Sequence, residues 1–61
     1  MDVDEKGVYK ASDIAKLFSV SGSQVRVWVT EGKVPGVFRT PGGHIRIRGK
    51  DLIRFLEEHK S

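Results

Sequence analysis

The spacing of hydrophobic residues changes along the chain and predicts helices and strands in turn. Apolar positions three and four residues apart predict helices over residues 12–18 and 49–59, each with one face for a core. Two short β-type runs, Val37–Arg39 and Ile45–Arg48, predict strands. The middle segment, residues 21–31, fits both periods, so its boundary signals decide between them.

This segment alternates like a strand, because valine occupies every second position in its centre. Its flanks favour a helix. Ser21 is suited to an N-cap, and Gln24 follows it at the spacing of a capping box. Gly32 and then Pro35 come after the apolar run, in an order that commonly ends a helix. We therefore predict a helix over residues 21–31.

Wound as a helix, this segment has one apolar face and one polar face. Val25, Trp28 and Val29 fall together on the buried side, so Trp28 is expected in the core rather than as an exposed stacking surface. The opposite face carries Ser23, Arg26, Val27 and Thr30, with Gln24 on its flank. That polar face is expected to meet a partner.

The first two predicted helices are close together in the sequence. Ser12 is expected to cap the first helix, with Asp13 favourably placed for the helix dipole. Residues 19–21 form the turn into the second helix, and Val20 is expected to point inward. Two short helices joined by a three-residue turn are typical of a helix-turn-helix. On these helices alone, an αα-corner with no nucleic-acid role fits nearly as well.

The two predicted strands flank a Thr-Pro-Gly-Gly-His turn at residues 40–44, which is typical of a hairpin. Ile45 and Ile47 are expected to face the core. The opposite face is expected to carry His44, Arg46 and Arg48. We expect a slim, flexible tip whose backbone amides are open to a phosphate, as suits a wing beside a nucleic-acid groove. Upstream, Val8 and Tyr9 either add a short strand or pack as a lead-in to the first helix.

Composition limits the chain to one small domain. It has 61 residues, no cysteine and no apolar run of membrane-spanning length. The formal charge of +3 is unevenly distributed, because residues 33–50 contain no acid. The positively charged residues and the histidine of this stretch are Lys33, Arg39, His44, Arg46, Arg48 and Lys50. A basic stretch of this kind predicts a phosphate-bearing partner, against the alternative of a merely solvated surface.

Catalytic, metal and cofactor sites are not predicted. His44 and His59 are the only histidines and lack metal-ligand spacing, so His44 is expected either to contact nucleic acid or to be solvated. Ser21 and Ser23 have no convincing base beside them. The Pro-Gly-Gly turn lacks the GK[ST] sequence of a phosphate-binding loop. We expect neither an enzyme nor a small-molecule ligand.

Two residues on the polar face carry open alternatives. Arg26 is expected to reach a phosphate or the O6 and N7 atoms of guanine, unless it is a surface arginine paired with an acid. Val27 is either incidentally exposed or contacts a thymine methyl group in a major groove.

Two motifs of the chain are especially specific: Glu-Gly-Lys-Val-Pro at residues 31–35 and Arg-Thr-Pro-Gly-Gly-His at residues 39–44. They are accompanied by the segment at residues 9–21, by Val-Arg-Val-Trp at 25–28 and by Asp-Leu-Ile-Arg-Phe-Leu at 51–56. In this order the motifs resemble the excisionase-type, MerR-like winged helix-turn-helix DNA-binding domains of bacteria and phages, and the resemblance covers residues 8–58. It implies a recognition helix at residues 21–31 in a major groove and a wing at residues 39–46 against the backbone or the minor groove.

The resemblance also implies contacts residue by residue. The helix would touch DNA through Ser23, Gln24 and Arg26. The wing would touch it through Arg39, Thr40, Gly43, His44 and Arg46, and Lys33 would lie near the backbone. With the polar-face residues added, the expected DNA-binding set is Ser21, Ser23, Gln24, Arg26, Val27, Thr30, Lys33, Arg39, Thr40, Gly43, His44 and Arg46.

The sequence departs from the family pattern at three places. Val27 stands where the family often has a basic or polar residue. The wing lacks one arginine and the tyrosine of the frequent Gly-Gly-His-Arg-Arg-Tyr pattern, and Gly22 weakens the start of the second helix. These changes concern phosphate contacts and base preference rather than the scaffold.

The predicted fold is α+β and mostly helical, a winged helix-turn-helix of three helices and a two-stranded wing over residues 8–59. Residues 1–7 are expected to be a disordered acidic tail. The expected function is sequence-specific binding of double-stranded DNA, as a cytoplasmic, nucleoid-associated bacterial or phage regulator or an excisionase-like factor. The chain is expected to be either stand-alone or the DNA-binding domain of a longer protein, needing adjacent copies or a further domain for useful affinity. The alternative is a protein-interaction module that has lost DNA binding.

Overall fold

Three helices and three strands follow one another along the chain in the computed structural model, which describes residues 2–59. Their order is β1 (Val8–Lys10), α1 (Ala11–Phe18), α2 (Gly22–Thr30), β2 (Val37–Arg39), β3 (Ile45–Arg48) and α3 (Gly49–Glu58). The predicted α+β winged helix-turn-helix class is confirmed. Met1, which belongs to the predicted acidic tail, lies outside the described residues.

Helix α1 begins slightly earlier than predicted, and a different residue caps it. Lys10 is the extended N-cap residue, and its backbone N–H donates to the Asp13 carboxylate at 3.0 Å. Ser12 lies within the first helical turn, so the prediction that it caps the helix is wrong. The carboxylate of Asp13 accepts from the backbone N–H that precedes the helix, and it also suits the positive end of the helix dipole.

The turn between α1 and α2 is closed by backbone hydrogen bonds. Ser19 adopts the left-handed conformation with φ 55°, and the N–H of Val20 donates to the Ala15 carbonyl at 2.9 Å. This pattern satisfies the last carbonyls of α1 and turns the chain sharply. Val20 then packs against the core, as the sequence predicts.

Helix α2 has the two ends that its flanking residues predict. At its start the Ser21 hydroxyl accepts a hydrogen bond from the Gln24 N–H at 3.2 Å. At its end Gly32 is left-handed, and the N–H of Lys33 donates to the Trp28 carbonyl at 2.9 Å. The boundary residues therefore outweigh the strand-like alternation of valines, and the helical interpretation is confirmed.

The sheet contains one more strand than the predicted hairpin. Strands β2 and β3 pair antiparallel as expected, and β1 pairs antiparallel with the other edge of β3, which gives the order β1-β3-β2. Tyr9 and Val37 both lie opposite Ile47, so their side chains share the face that packs on the helices. Of the two possibilities for Val8 and Tyr9, the short strand is the one observed.

The segment before β1 docks on the start of α3. The N–H groups of Gly49 and Lys50 donate to the carbonyls of Gly7 and Glu5, at 2.8 and 3.1 Å. These are helix-terminal donors that have no partner within α3. Treating residues 1–7 as a frayed tail did not predict these contacts.

The core lies between the sheet and the three helices. Its buried members are Ile14, Ala15, Val25, Val34, Ile47, Leu52 and Phe55. An aromatic cluster extends it toward the carboxyl ends of the helices, with Phe18 at 5.5 Å from Trp28 and 5.1 Å from Phe55 between ring centroids. Trp28 is half-buried in this cluster, so its predicted place in the core is confirmed.

Candidate nucleic-acid interface

A groove of about 240 Å³ separates α2 from the β2–β3 hairpin. Its floor is polar and its cationic side chains come from both sides. The residues that line it are Ala11, Arg26, Thr30, Arg39, Gly43, His44 and Ile45. No carboxylate lines the groove, so its two arginines give it a positive potential that favours an anionic ligand.

Strand register explains why wing residues face α2. Arg39 lies opposite Ile45, and side chains paired in this way stand on the same face of an antiparallel sheet. That face is the one that carries buried Ile47, so Arg39 and Ile45 project from the helix side of the sheet near the hairpin tip. Ile45 was expected in the core, but it is only half-buried, because it borders the open groove that it lines with Ala11 and Thr30.

The wing tip is held by hydrogen bonds of its own. Thr40 N–H donates to the His44 carbonyl at 3.0 Å, and Gly43 N–H donates to the Thr40 carbonyl at 2.8 Å. Gly43 is left-handed with φ +80°, a conformation that glycine adopts without steric cost. The turn at residues 40–44 therefore has a defined conformation that its own hydrogen bonds hold.

These bonds change what the tip offers to a phosphate. The N–H of His44 also donates to the Thr40 hydroxyl at 3.3 Å, so three backbone amides of the turn already have acceptors. The expectation that the tip amides are open is wrong for Thr40, Gly43 and His44. The side chain of Arg39 is a further donor at the tip, and it is braced by a 3.2 Å bond to the Gly43 carbonyl.

His44 and Arg46 were expected on one face of the wing, and the structure separates them. His44 precedes β3 and belongs to the turn, so the alternation of the strand does not extend to it, and it lines the groove. Arg46 lies opposite Lys10 and Phe38 on the outer face of the sheet. Its guanidinium donates to the Ile45 carbonyl at 2.8 Å.

The outer face of the sheet carries two basic residues that are not among the predicted DNA contacts. Lys10 pairs with Arg46 across β1 and β3, and Arg48 lies over the Phe38 ring at 5.1 Å from its centroid. Lys10 was not recognisable because its position depends on β1 joining the sheet. Arg48 was part of the basic stretch, and its alternation with Ile47 predicted its place on the outer face of the sheet.

The outer surface of α2 is solvent-exposed at every predicted contact position. Ser23, Gln24, Arg26, Val27 and Thr30 are all exposed. Within residues 2–59, Arg26 has no acidic partner, which removes the alternative that it is a paired surface arginine. The Ser21 hydroxyl caps the helix.

Lys33 occupies a different surface from the groove. Its ammonium lies 3.3 Å from the Glu31 carboxylate, and both side chains are well exposed. The stem lines a second, mainly apolar cleft of about 290 Å³ with Phe18, Trp28, Phe55 and His59. An exposed pair of this kind contributes little to stability and leaves Lys33 free to exchange partners.

The described part of the chain shows neither a metal-binding cluster nor a membrane-spanning helix. Over residues 2–59, no three side chains of histidine, cysteine, aspartate or glutamate gather closely enough to hold a metal ion. None of the described helices is long and apolar enough to cross a membrane.

Comparison with known proteins supports the assignment made from geometry. The profile of a family described as a helix-turn-helix domain matches residues 8–60, which is most of the chain. No curated protein matches the sequence as a relative. The matched region contains α1, the three-residue turn, α2, the wing and α3. The chain therefore belongs to the excisionase-type family of helix-turn-helix domains, a DNA-binding family.

Proposed function

We propose that this domain binds double-stranded DNA in a sequence-specific manner, with α2 in the major groove and the wing against the adjacent backbone or minor groove. The observation that carries the proposal is the acid-free groove between α2 and the wing. Arg26 lines this groove from α2, and Arg39 lines it from the wing. A cationic groove beside an exposed helix is suited to a phosphate strand flanking the base edges that the helix contacts.

The dimensions of α2 are compatible with this role. An α-helix with its side chains is about 10–12 Å across, and the major groove of B-DNA is about 12 Å wide. The exposed face of α2 presents short side chains at Ser23 and Thr30 and longer donors at Gln24 and Arg26. This mixture allows the backbone of the helix to approach base edges closely while Arg26 reaches a phosphate or a guanine.

The wing contributes cations on both of its faces. Arg39 lies on the groove side, and Arg46 lies on the outer side beside Lys10 and Arg48. A hairpin with cations on both faces is suited to a groove with a phosphate strand on each side. Most of the electrostatic attraction would therefore come from the wing, and base selection from α2.

The wider role follows from this mode of binding. We propose a bacterial or phage regulator of the MerR-like type, or an excisionase-like factor that shapes DNA, acting in the cytoplasm at the nucleoid. A single domain with so few contacts is expected to bind weakly. Adjacent copies on one duplex, or a further domain in a longer protein, would raise the effective concentration and give useful occupancy.

Salt dependence of DNA binding tests the proposal directly. Each phosphate neutralised by a cation contributes a slope of about −0.9 in a plot of log affinity against log salt concentration. We expect Arg39→Ala to weaken binding and to reduce the size of that slope by about one, because Arg39 lines the groove. Fluorescence anisotropy on a labelled duplex, over a series of salt concentrations, measures both quantities.

The matched control is Arg54→Ala, which removes the same charge from the exposed surface of α3. It should leave the slope unchanged. A flat salt response of the unmodified domain contradicts the proposal. Equal slopes for both variants would instead show that the wing does not contact DNA and that the docking is wrong.

A second candidate function is a protein-interaction module on the same scaffold. The specific observation in its favour is the aromatic cleft formed by Phe18, Trp28 and Phe55, an apolar surface separate from the cationic groove. The two functions predict different contact surfaces, so mapping the residues affected by a partner separates them.

A further inference from the structure

One apolar side chain stands in the middle of the polar surface of α2. Val27 is 48% exposed and, within residues 2–59, is one of two large hydrophobic residues with such exposure, the other being Val8 at 58%. Its neighbours along the helix surface, Ser23 and Thr30, are also exposed. They leave Val27 as the most prominent apolar group on this surface.

Neither helix formation nor solvation explains a valine at this position. Valine restricts its own rotamers in a helix and favours helix formation less than alanine, lysine or arginine does. It also leaves apolar surface in water, which burial elsewhere would remove. Val25, two residues earlier, is fully buried, so packing against the core explains that valine but not Val27. A residue that violates local preferences without a packing role is a candidate for contact with a partner.

Charge and apolar surface are separated on α2. Arg26 turns toward the wing and lines the groove together with Arg39 and His44. Val27 is absent from that lining and follows one helical step, about 100°, further around the axis. The ridge formed by Ser23, Val27 and Thr30 is uncharged, so this exposed part of α2 carries the two methyl groups of a valine flanked by two hydroxyls.

We propose that Val27 packs against the C5 methyl group of a pyrimidine in the major groove, and that this contact sets a base preference of the domain. The inference rests on the proposed function, since it requires α2 to enter that groove. The C5 methyl is the apolar feature of the major-groove edge of thymine. 5-Methylcytosine presents a methyl group on the same ring carbon, so the two bases share the chemistry that Val27 recognises.

The expected change in DNA affinity follows from the apolar area of one methyl group. Burying one such group stabilises a contact enough to change affinity by about fourfold. Uracil differs from thymine only by lacking this methyl group and keeps the same hydrogen-bonding edge. Replacing the contacted thymine by uracil should therefore weaken binding by about fourfold.

The experiment starts from the tightest duplex selected out of a randomised DNA pool. Each thymine of that duplex is replaced in turn by uracil, and affinity is measured for the unmodified domain and for Val27→Ala. We expect one or two positions where uracil weakens binding of the unmodified domain by about fourfold, and where Val27→Ala shows almost no difference between the two bases.

Val8→Ala is the matched control, because Val8 is the other exposed valine and lies on β1 opposite Arg48, at the end of β3 away from the wing tip. It should retain the full sensitivity to uracil. Circular dichroism of both variants confirms that the fold is kept. Replacing the sensitive pair by 5-methylcytosine·guanine, and then by unmethylated cytosine·guanine, distinguishes the two sources of the methyl group.

The outcomes separate the inference from the proposed function. Tighter binding of the methylated than of the unmethylated cytosine duplex supports recognition of the methyl group itself, and sensitivity to uracil alone supports thymine as the partner. A domain that selects a duplex but is indifferent to uracil at every position overturns the inference and leaves DNA binding intact. The same holds if Val27→Ala keeps the uracil sensitivity. A domain that binds no duplex removes the proposed function and the inference together.

Discussion

At the scale of single residues, Gly22 and Gly49 show how surroundings decide what a residue does. Each is the first residue of a helix. Nothing lies within 4 Å of a Cβ atom added at Gly22. A Cβ atom added at Gly49 would collide with the Asp4 carbonyl oxygen, because residues 4–7 lie directly against the start of α3. Gly49 is therefore required for the docking of that segment.

Replacing each glycine by alanine tests this difference. We expect Gly22→Ala to raise the free energy of unfolding by a few tenths to about 1 kcal/mol, because alanine restricts the unfolded chain and favours the helix. Gly49→Ala should lower it by about 1–3 kcal/mol, since the collision must displace the backbone of residues 4–7. Urea unfolding followed by circular dichroism measures both. Equal effects of the two substitutions would show that the docked segment does not stabilise the domain.

At the scale of elements, α2 is the part of the chain where two periodicities compete. In a strand Val25 and Val27 would share a face, whereas in α2 the first is fully buried and the second is 48% exposed. Hydrogen bonds at Ser21 and Gly32 stabilise the helix ends. The helix therefore depends on its boundaries and on one apolar face, rather than on the propensity of its valines.

Replacing Val25 and Val27 in turn by alanine distinguishes a helix from a strand in this segment. Val25→Ala should lower the free energy of unfolding by about 2 kcal/mol, through lost burial and the cavity left behind. Val27→Ala should change it by less than about 0.5 kcal/mol. Thermal unfolding of the two variants under identical conditions is the measurement. Similar losses at both positions would contradict the helical assignment.

Local signals explain which elements were predictable from the sequence. The ends of α2 and the hairpin turn are specified by residues close in sequence, such as Ser21, Gly32 and the Pro-Gly-Gly turn. The pairing of β1 with β3 and the docking of residues 4–7 on α3 join segments about forty residues apart in the sequence through backbone groups, which leave no side-chain pattern to recognise. The sequence favoured Ser12 as the cap of α1, whereas the N-cap residue is Lys10 and the neighbouring Asp13 carboxylate accepts its N–H.

The candidate site was predictable in its members and less so in its geometry. The alternation of residues along β3 predicted the correct face of the sheet for all four residues from Ile45 to Arg48. It failed at His44, which precedes the strand and belongs to the turn. The contribution of Lys10 to the outer face of the sheet became visible only with β1 in place. Which residues face the groove depends on how the hairpin lies against α2, and that is a tertiary property.

At the scale of the whole molecule, the surfaces of the domain differ in their charge. The groove between α2 and the wing collects Arg26, Arg39 and His44 without an acid, whereas the exposed end of α3 carries Glu58 beside Arg54. Helix α3 closes the core through Leu52 and Phe55, and its mixed outer charges give no reason for a phosphate to approach. The groove between α2 and the wing is therefore the surface that the proposed function assigns to DNA, and α3 supports it by closing the core.

Binding of DNA by α2 and the wing is tested most directly by chemical-shift mapping of the isotope-labelled domain during titration with duplex DNA. This mode of binding predicts that amide signals of residues 21–31 and 39–46 shift together, while those on the outer side of α3 stay in place. Absence of shifts in both the helix and the wing would contradict it. So would shifts confined to the aromatic cleft around Phe18 and Phe55.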